Sequence, residues 1–392
     1  MMNDSKSPRN FVAPHLHNVP RSGIRDFFEI VSTRKDVISL GIGEPDFITP
    51  WHIRESSIYA LNQGATSYTA NLGLLELRLE IAKYVSNRFS AQYDPVHEIM
   101  ITVGVSEALD LAIRALVSPG DEVLYHEPCY VSYAPVIAFA HGKPVAVETK
   151  AEDGFRLRVD ALEAKVTPRT RVLMLNFPTN PTGAILQQQD IEDIAKFAIR
   201  HDLVVITDEI YSELTYDAER VSIAAVPGMR ERTIFLNGFS KAWAMTGFRI
   251  GFSCAPPALT EAMMKLHQYT MLCAPILAQK AAIEALVNGD DALAEMRNSY
   301  RQRRNLMVQG LQAAGLQCHL PQGAFYAFPY VGHMGMKSHD FAMRFLEEEN
   351  VACVPGTAFG ACGEGFIRCA YATGIQQIEE AMNRLQAFTK RL

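Results

Sequence analysis

The chain has 392 residues, 48% of them hydrophobic and 20% charged, which fits a soluble globular protein with room for two domains. Its formal net charge of −6 argues against nucleic acid or an anionic membrane as the main partner, and no apolar run reaches membrane-spanning length. Seven cysteines without a C-x-x-C pair read as reduced thiols, and eleven histidines show no ligand spacing, so no metal site is expected.

Residues 1–20 are polar, with prolines and histidines and no apolar core of a signal peptide, so a flexible tail and a cytoplasmic location are expected. A short strand over 37–40 leads into Gly41-Ile-Gly-Glu-Pro-Asp46. Asp46 takes the last place of what would be G-x-G-x-x-G, so a dinucleotide site gains little support. Helical spacing covers 72–89. A strand at 99–103 is followed by the turn Gly104-Val-Ser-Glu and a helix over 108–117. Strands are expected at 121–125 and 143–148.

The run 171–176 is almost wholly apolar, as for a strand covered on both faces. A helix over 190–200 and buried strands at 203–207, 233–236 and 250–254 continue the series. This alternation predicts an α/β fold with a mostly parallel central sheet flanked by helices. Helical patterns fill 257–316, broken near Pro275, with a long helix leaving the first domain around 286–299. Strands at 324–328 and 365–370 and helices at 340–349 and 376–389 predict a smaller α/β domain with the N-terminal arm packed on it. The division expected is a tail over 1–20, a large domain over 46–286 and a small domain from 21–45 and 287–392.

The chemistry centres on 237–251. Lys241 stands among Gly238, Ser240, Ala242, Ala244 and Gly247. Such neighbours can leave a lysine partly desolvated, which favours its free amine, and a free amine condenses with an aldehyde. Arg249, with serine and backbone amides, suits a phosphate. Aldehyde and phosphate together suggest pyridoxal 5'-phosphate. Most lysines are surface residues without chemistry, so the reading needs further parts. Asp208 ends the apolar strand at 203–207, where ligands meet open α/β sheets. A carboxylate there would keep a ring nitrogen protonated; the plainer alternative is a helix cap by Asp208 and packing by Tyr211. Gly104, Val105 and Ser106 offer amides at a helix start, or Ser106 is an ordinary cap.

Ser-Lys-x-x-x-Met-x-Gly-x-Arg-x-Gly, from Ser240 to Gly251, resembles the lysine signature of the class I/II aminotransferases of fold type I, the aspartate aminotransferase superfamily. The resemblance runs from about residue 37 to 372, with motifs in the family's order. It implies that Lys241 holds the cofactor, Asp208 its ring nitrogen, and Tyr211 and Asn180 its ring oxygen. It implies a phosphate cup of Gly104, Val105, Ser106, Ser240 and Arg249, with Gly238 standing where relatives often have Ser or Thr. Tyr130 matches the stacking aromatic, with Tyr133 nearby as the competitor. Tyr68 matches the tyrosine that reaches the phosphate of the other subunit, which implies a homodimer with shared sites. Arg368, in Gly365-Phe-Ile-Arg-Cys-Ala-Tyr371, matches the substrate-carboxylate arginine, assisted by the Gly43 amide.

The implied activity is ping-pong transfer of an amino group between an L-amino acid and a 2-oxo acid, with 2-oxoglutarate as the acceptor. A C–S β-lyase on the same scaffold is one alternative. A non-catalytic cofactor-binding regulator is the other, but the stretch before residue 37 leaves little room for a DNA-binding domain. Some aspartate-preferring relatives carry lysine at the position of Ser106, so its absence weakens aspartate as the donor. Aromatic, alanine-type and branched donors stay open.

Overall fold

The computed structural model describes residues 11–17, 19, 23–24, 34 and 36–392. Most of the expected tail, and of the arm before residue 36, lies outside the described residues. In chain order, β1 (Ile38–Ser39) precedes α1 (Trp51–Asn62) and α2 (Leu75–Phe89). Then come β2 (Ile99–Thr102), α3 (Gly104–Leu116), β3 (Glu122–Glu127), α4 (Tyr133–Phe139), β4 (Lys143–Glu148) and α5 (Val159–Glu163). They are followed by β5 (Thr170–Asn176), α6 (Gln188–Arg200), β6 (Val204–Asp208), β7 (Thr233–Gly238) and β8 (Gly251–Cys254).

These eight strands, less β1, form one sheet in the order β2-β8-β7-β6-β5-β3-β4. β8 runs antiparallel to both neighbours, and every other pairing is parallel. Alternation along β5 explains the layers. Val172 and Met174 face one side, with Ala108, Ala112 and Met263 in the same cluster. Leu173 and Leu175 face the other, with Ile191, Ile194 and Phe197 of α6. Both faces are covered, which is why β5 and β6 read as continuous apolar runs.

The second half carries α7 (Pro257–Thr270), α8 (Ile276–Asn288) and α9 (Asp290–Ala313), then β9 (Tyr326–Ala327), α10 (Ser338–Glu349), β10 (Val351–Ala352), β11 (Val354–Pro355), β12 (Ile367–Ala370) and α11 (Ile375–Thr389). β11, β12 and β9 make an antiparallel three-stranded sheet. β1 pairs in parallel with β10, Ile38 opposite Val351, so the residues leading to Gly41 are stitched to the C-terminal layer.

Some elements differ from expectation. α3 begins at Gly104 rather than near 108, because the expected turn is itself its first turn. The helix expected to run out around 286–299 is two helices, α8 and α9, divided at Gly289. α1, α4 and α5 lie in stretches where no element was expected.

Candidate active site

The sheet brings the chemistry to one edge. β2, β5, β6 and β7 all run the same way, and their last residues are Thr102, Asn176, Asp208 and Gly238. Ligands gather at that carboxyl edge in open α/β sheets. The loop carrying Lys241 and Arg249 joins β7 to β8 there. A cavity of about 520 Å³ opens at this edge. Gly43, Val105, Ser106, Tyr130, Asn180, Asp208, Tyr211, Ser240, Lys241, Arg249 and Arg368 all line it.

Lys241 is half-buried, and its Nζ donates to the Gly43 carbonyl at 2.7 Å. The ammonium sits 5.9 Å from the Tyr211 ring centroid and 5.8 Å from that of Phe325. Burial lowers its pKa to about 8; Glu44 pulls the other way, Arg368 and Arg249 add to the fall, and Asp208 opposes it.

Asp208 is buried at the end of β6. Tyr133 Oη donates to its Oδ2 at 2.8 Å, and the Ile210 N–H to its Oδ1 at 3.2 Å. Burial raises its pKa to about 6, against the Tyr133 and Ile210 hydrogen bonds and the Lys241 charge. A buried carboxylate held by neutral donors and set in a cavity wall is short of a positive partner. A protonated ring nitrogen is such a partner.

The far wall fits an anion. The first N–H groups of α3 have no intrahelical acceptor; Glu107 Oε2 accepts from the Val103 N–H just before them, and Val103 itself has no capping side chain. Ser106 and Ser240 line the same wall. The Arg249 guanidinium lies against Gly104: a Cβ on Gly104 would fall 2.9 Å from Arg249 Nη2. Arg249 itself takes φ 50°, its Nη1 donating to the Thr246 carbonyl at 3.1 Å. The neighbouring backbones are equally close. A Cβ on Gly251 would stand 2.7 Å from the Gly104 carbonyl carbon, and one on Gly238 would stand 3.1 Å from Gly251 Cα.

Arg368, on β12, is 1% exposed. Its Nη1 donates to Asn180 Oδ1 at 2.9 Å and its Nη2 to the Gly41 carbonyl at 2.6 Å. Its Nε has no hydrogen-bond partner among the described residues. A buried guanidinium with spare N–H groups facing a cavity suits a carboxylate. Burial lowers its pKa. An amine, an acid, an anion cradle and a carboxylate clamp thus share one cavity, which is the donor set that pyridoxal 5'-phosphate and an amino acid require.

Two of the expected residues do not line this chain's own cavity, and for Tyr68, expected to serve the other subunit, no place in it was required. Gly104 lies against the cradle without lining the cavity. Tyr68 does not line it either; it is 83% exposed. Sequence reasoning missed Tyr326, a buried cavity-wall residue whose Oη is 2.8 Å from Tyr211 Oη. It also read Tyr133 as a rival for stacking. Tyr130 and Tyr133 both line the cavity, rings 5.8 Å apart, and Tyr133 donates to Asp208. Glu44, Asn176 and Thr246 also line the wall. The position of Asn176 at a strand end was the signal available for it. No cluster of His, Cys, Asp and Glu suited to a metal occurs among the described residues.

The family model described as aminotransferase class I and II matches residues 35–385. YugH of Bacillus subtilis is 52% identical, over 97% of this chain and 98% of that protein. The aspartate aminotransferase of Pyrococcus abyssi is 46% identical, over 96% and 97%. Among solved structures, the aromatic aminotransferase of Pyrococcus horikoshii matches with a TM-score of 0.90 and 46% identity, over 94% of this chain and 99% of that one.

Proposed function

The chain belongs to the class I and II aminotransferases and has their fold; from that premise we propose that it moves an amino group between an L-amino acid and a 2-oxo acid, with pyridoxal 5'-phosphate as cofactor and 2-oxoglutarate as acceptor. The observation that carries the reading is the pairing in one cavity of a lysine amine titrating near 8 with a buried arginine whose two Nη groups each keep an unused proton. Bound pyridoxal 5'-phosphate supplies an aldehyde and an electron-withdrawing ring that makes a substrate α-proton acidic.

The chain's residues would divide the work as follows. The α3 amino terminus, Ser106, Ser240 and Arg249 hold the phosphate. Asp208, kept in place by Tyr133, faces the ring nitrogen. Tyr211 and Asn180 face the ring oxygen, and Tyr130 covers the ring. Arg368 takes the substrate carboxylate through its remaining Nη protons, with Gly43 beside it. That contact fixes the substrate so that its α-proton stands near Lys241. Lys241, neutral for part of the time at physiological pH, takes that proton at Nζ and later gives it back. Because the same cavity serves both half-reactions, the first product leaves before the second substrate enters, which is ping-pong kinetics.

A cytoplasmic homodimer, divided into a large domain over 46–286 and a small domain from 21–45 and 287–392, belongs to the same proposal. Tyr68 then reaches the phosphate of the neighbouring subunit. The test has two parts. Borohydride reduction of the loaded enzyme, followed by peptide mapping, should mark Lys241; a label elsewhere refutes the assignment. A screen of amino acids against 2-oxoglutarate should yield glutamate. Release of ammonia and pyruvate-type products from cystathionine, without need of an acceptor, would favour β-elimination instead.

A further inference from the structure

We infer that Tyr326 is a positioning residue of the transfer reaction, one side chain that sets both the Arg368 guanidinium and the Tyr211 hydroxyl. The inference rests on the roles proposed above for those two residues. Tyr326 lies on β9, whose register with β12 places it opposite Ala370, two residues beyond Arg368. It is fully buried. The Arg368 Cζ stands 4.5 Å from the Tyr326 ring centroid and 4.7 Å from that of Phe359. The guanidinium therefore lies against two aromatic rings. Cation–π contact of this kind gains strength when desolvated. It also keeps the planar fork from turning, so the remaining Nη protons keep their direction.

The hydroxyl has a separate task. Tyr326 Oη and Tyr211 Oη are 2.8 Å apart, and either could donate. Each phenol has one proton. Burial pushes both above the ordinary tyrosine range, so both stay protonated. Tyr211 can give its proton to a ring oxygen only while it accepts from Tyr326. In that arrangement Tyr326 is the donor and commits the Tyr211 proton to the cavity. The backbone confirms how closely the hydroxyl is enclosed: a Cβ on Gly43 would stand 2.8 Å from Tyr326 Oη. Gly43 also gives its carbonyl to Lys241, so the same hydroxyl abuts the loop that receives the reactive amine.

The two tasks separate by mutation. Tyr326→Phe keeps the ring and loses the proton donor; Tyr326→Leu loses both. Two readouts on enzyme loaded with pyridoxal 5'-phosphate report them: the pH midpoint of the visible absorbance, and the Kd for propanoate, a carboxylate that cannot react. Y326F should move the midpoint by about half a pH unit or more, in the direction that Y211F moves it, and leave propanoate binding within about twofold. Y326L should move the midpoint and also weaken propanoate about tenfold or more. Circular dichroism and cofactor retention check folding; should Y326L fail them, Y326F and its midpoint decide alone. A native midpoint in Y326F, while Y211F is shifted, overturns the inference. So does native propanoate binding in a folded Y326L while Arg368→Ala has lost it. If Y211F and R368A both behave as native, the roles proposed for Tyr211 and Arg368 fail instead.

Discussion

A lysine that titrates near 8 is a different reagent from one that titrates at 10.5. At pH 7 about one amine in ten is free in the first case, against about one in three thousand in the second. Capture of the cofactor aldehyde by the apoenzyme should therefore speed up with pH and level off just above 8; stopped-flow absorbance measures it. A rate still climbing steeply at pH 10 would mean an unperturbed amine. Lys241→Ala should lower transamination about a thousandfold or more, since both the covalent anchor and the proton carrier go. Asp208 gives a second pH window. Its pKa is raised from 3.8 to about 6, so the folded chain holds a proton there that the unfolded chain has released. That contribution to stability is lost as pH rises through 4 to 6, and the ionised form destabilises the apoenzyme above 6. Cofactor affinity runs oppositely, because a cationic ring needs the ionised carboxylate; it should fall as pH drops through 6. Asp208→Asn should leave the apoenzyme as stable or about 1–2 kcal/mol more stable at pH 7, with activity down about a hundredfold or more. Thermal unfolding and turnover on one preparation check both signs.

At the scale of elements, the anion cradle depends on two backbones in contact, the first turn of α3 and the start of β8. Any Cβ at Gly251 meets the Gly104 backbone, which has no flexible end to move aside. Gly251→Ala should cost about 1–3 kcal/mol of stability and raise the apparent Kd for the cofactor far more than the KM for the amino acid. A calorimetric scan with a cofactor titration would show it; equal loss in both affinities would place the damage elsewhere. This contact was invisible in the sequence, where Gly251 reads as the start of a strand. What was legible follows the same physics. β5 and β6 show themselves because both faces are buried, and Lys241, Asp208 and Arg368 because each departs from an apolar run. α1 does not, because Trp51, Ile58, Tyr59 and Leu61 are exposed and blur its period. Tyr326 sits between Phe325 and Phe328, where one more aromatic residue looks like core. Its hydroxyl partner is 115 positions away, and no local pattern encodes that.

At the scale of the whole molecule, one surface asks for a partner. Ser56 and Ser57 of α1 donate to the carbonyls of Lys280 and Leu277, and Asn71 to that of Leu272. These bonds tie α1 to α8, and the loop around Tyr68 to the turn between α7 and α8. This surface exposes Tyr59, Tyr68, Tyr269, Met271 and Leu272, with Tyr68 at 83% and Tyr269 at 87%. Apolar side chains gathered in this way mark an interface, and a second copy of the chain is the partner proposed. A two-fold pair would put each Tyr68 outside its own cavity and within reach of its neighbour's. Subunit mixing tests this. Tyr68→Ala alone should weaken cofactor binding, and Lys241→Ala alone should be inactive. In a hybrid of the two, one cavity pairs a native Lys241 with the native Tyr68 of the other chain, while the second cavity lacks both. Random reassortment makes about half the dimers hybrid, each with one intact site in two, so activity at limiting cofactor should recover to about a quarter of native. A chain that used its own Tyr68, or worked as a monomer, would give only the average of the two variants, since mixing would then rebuild no cavity.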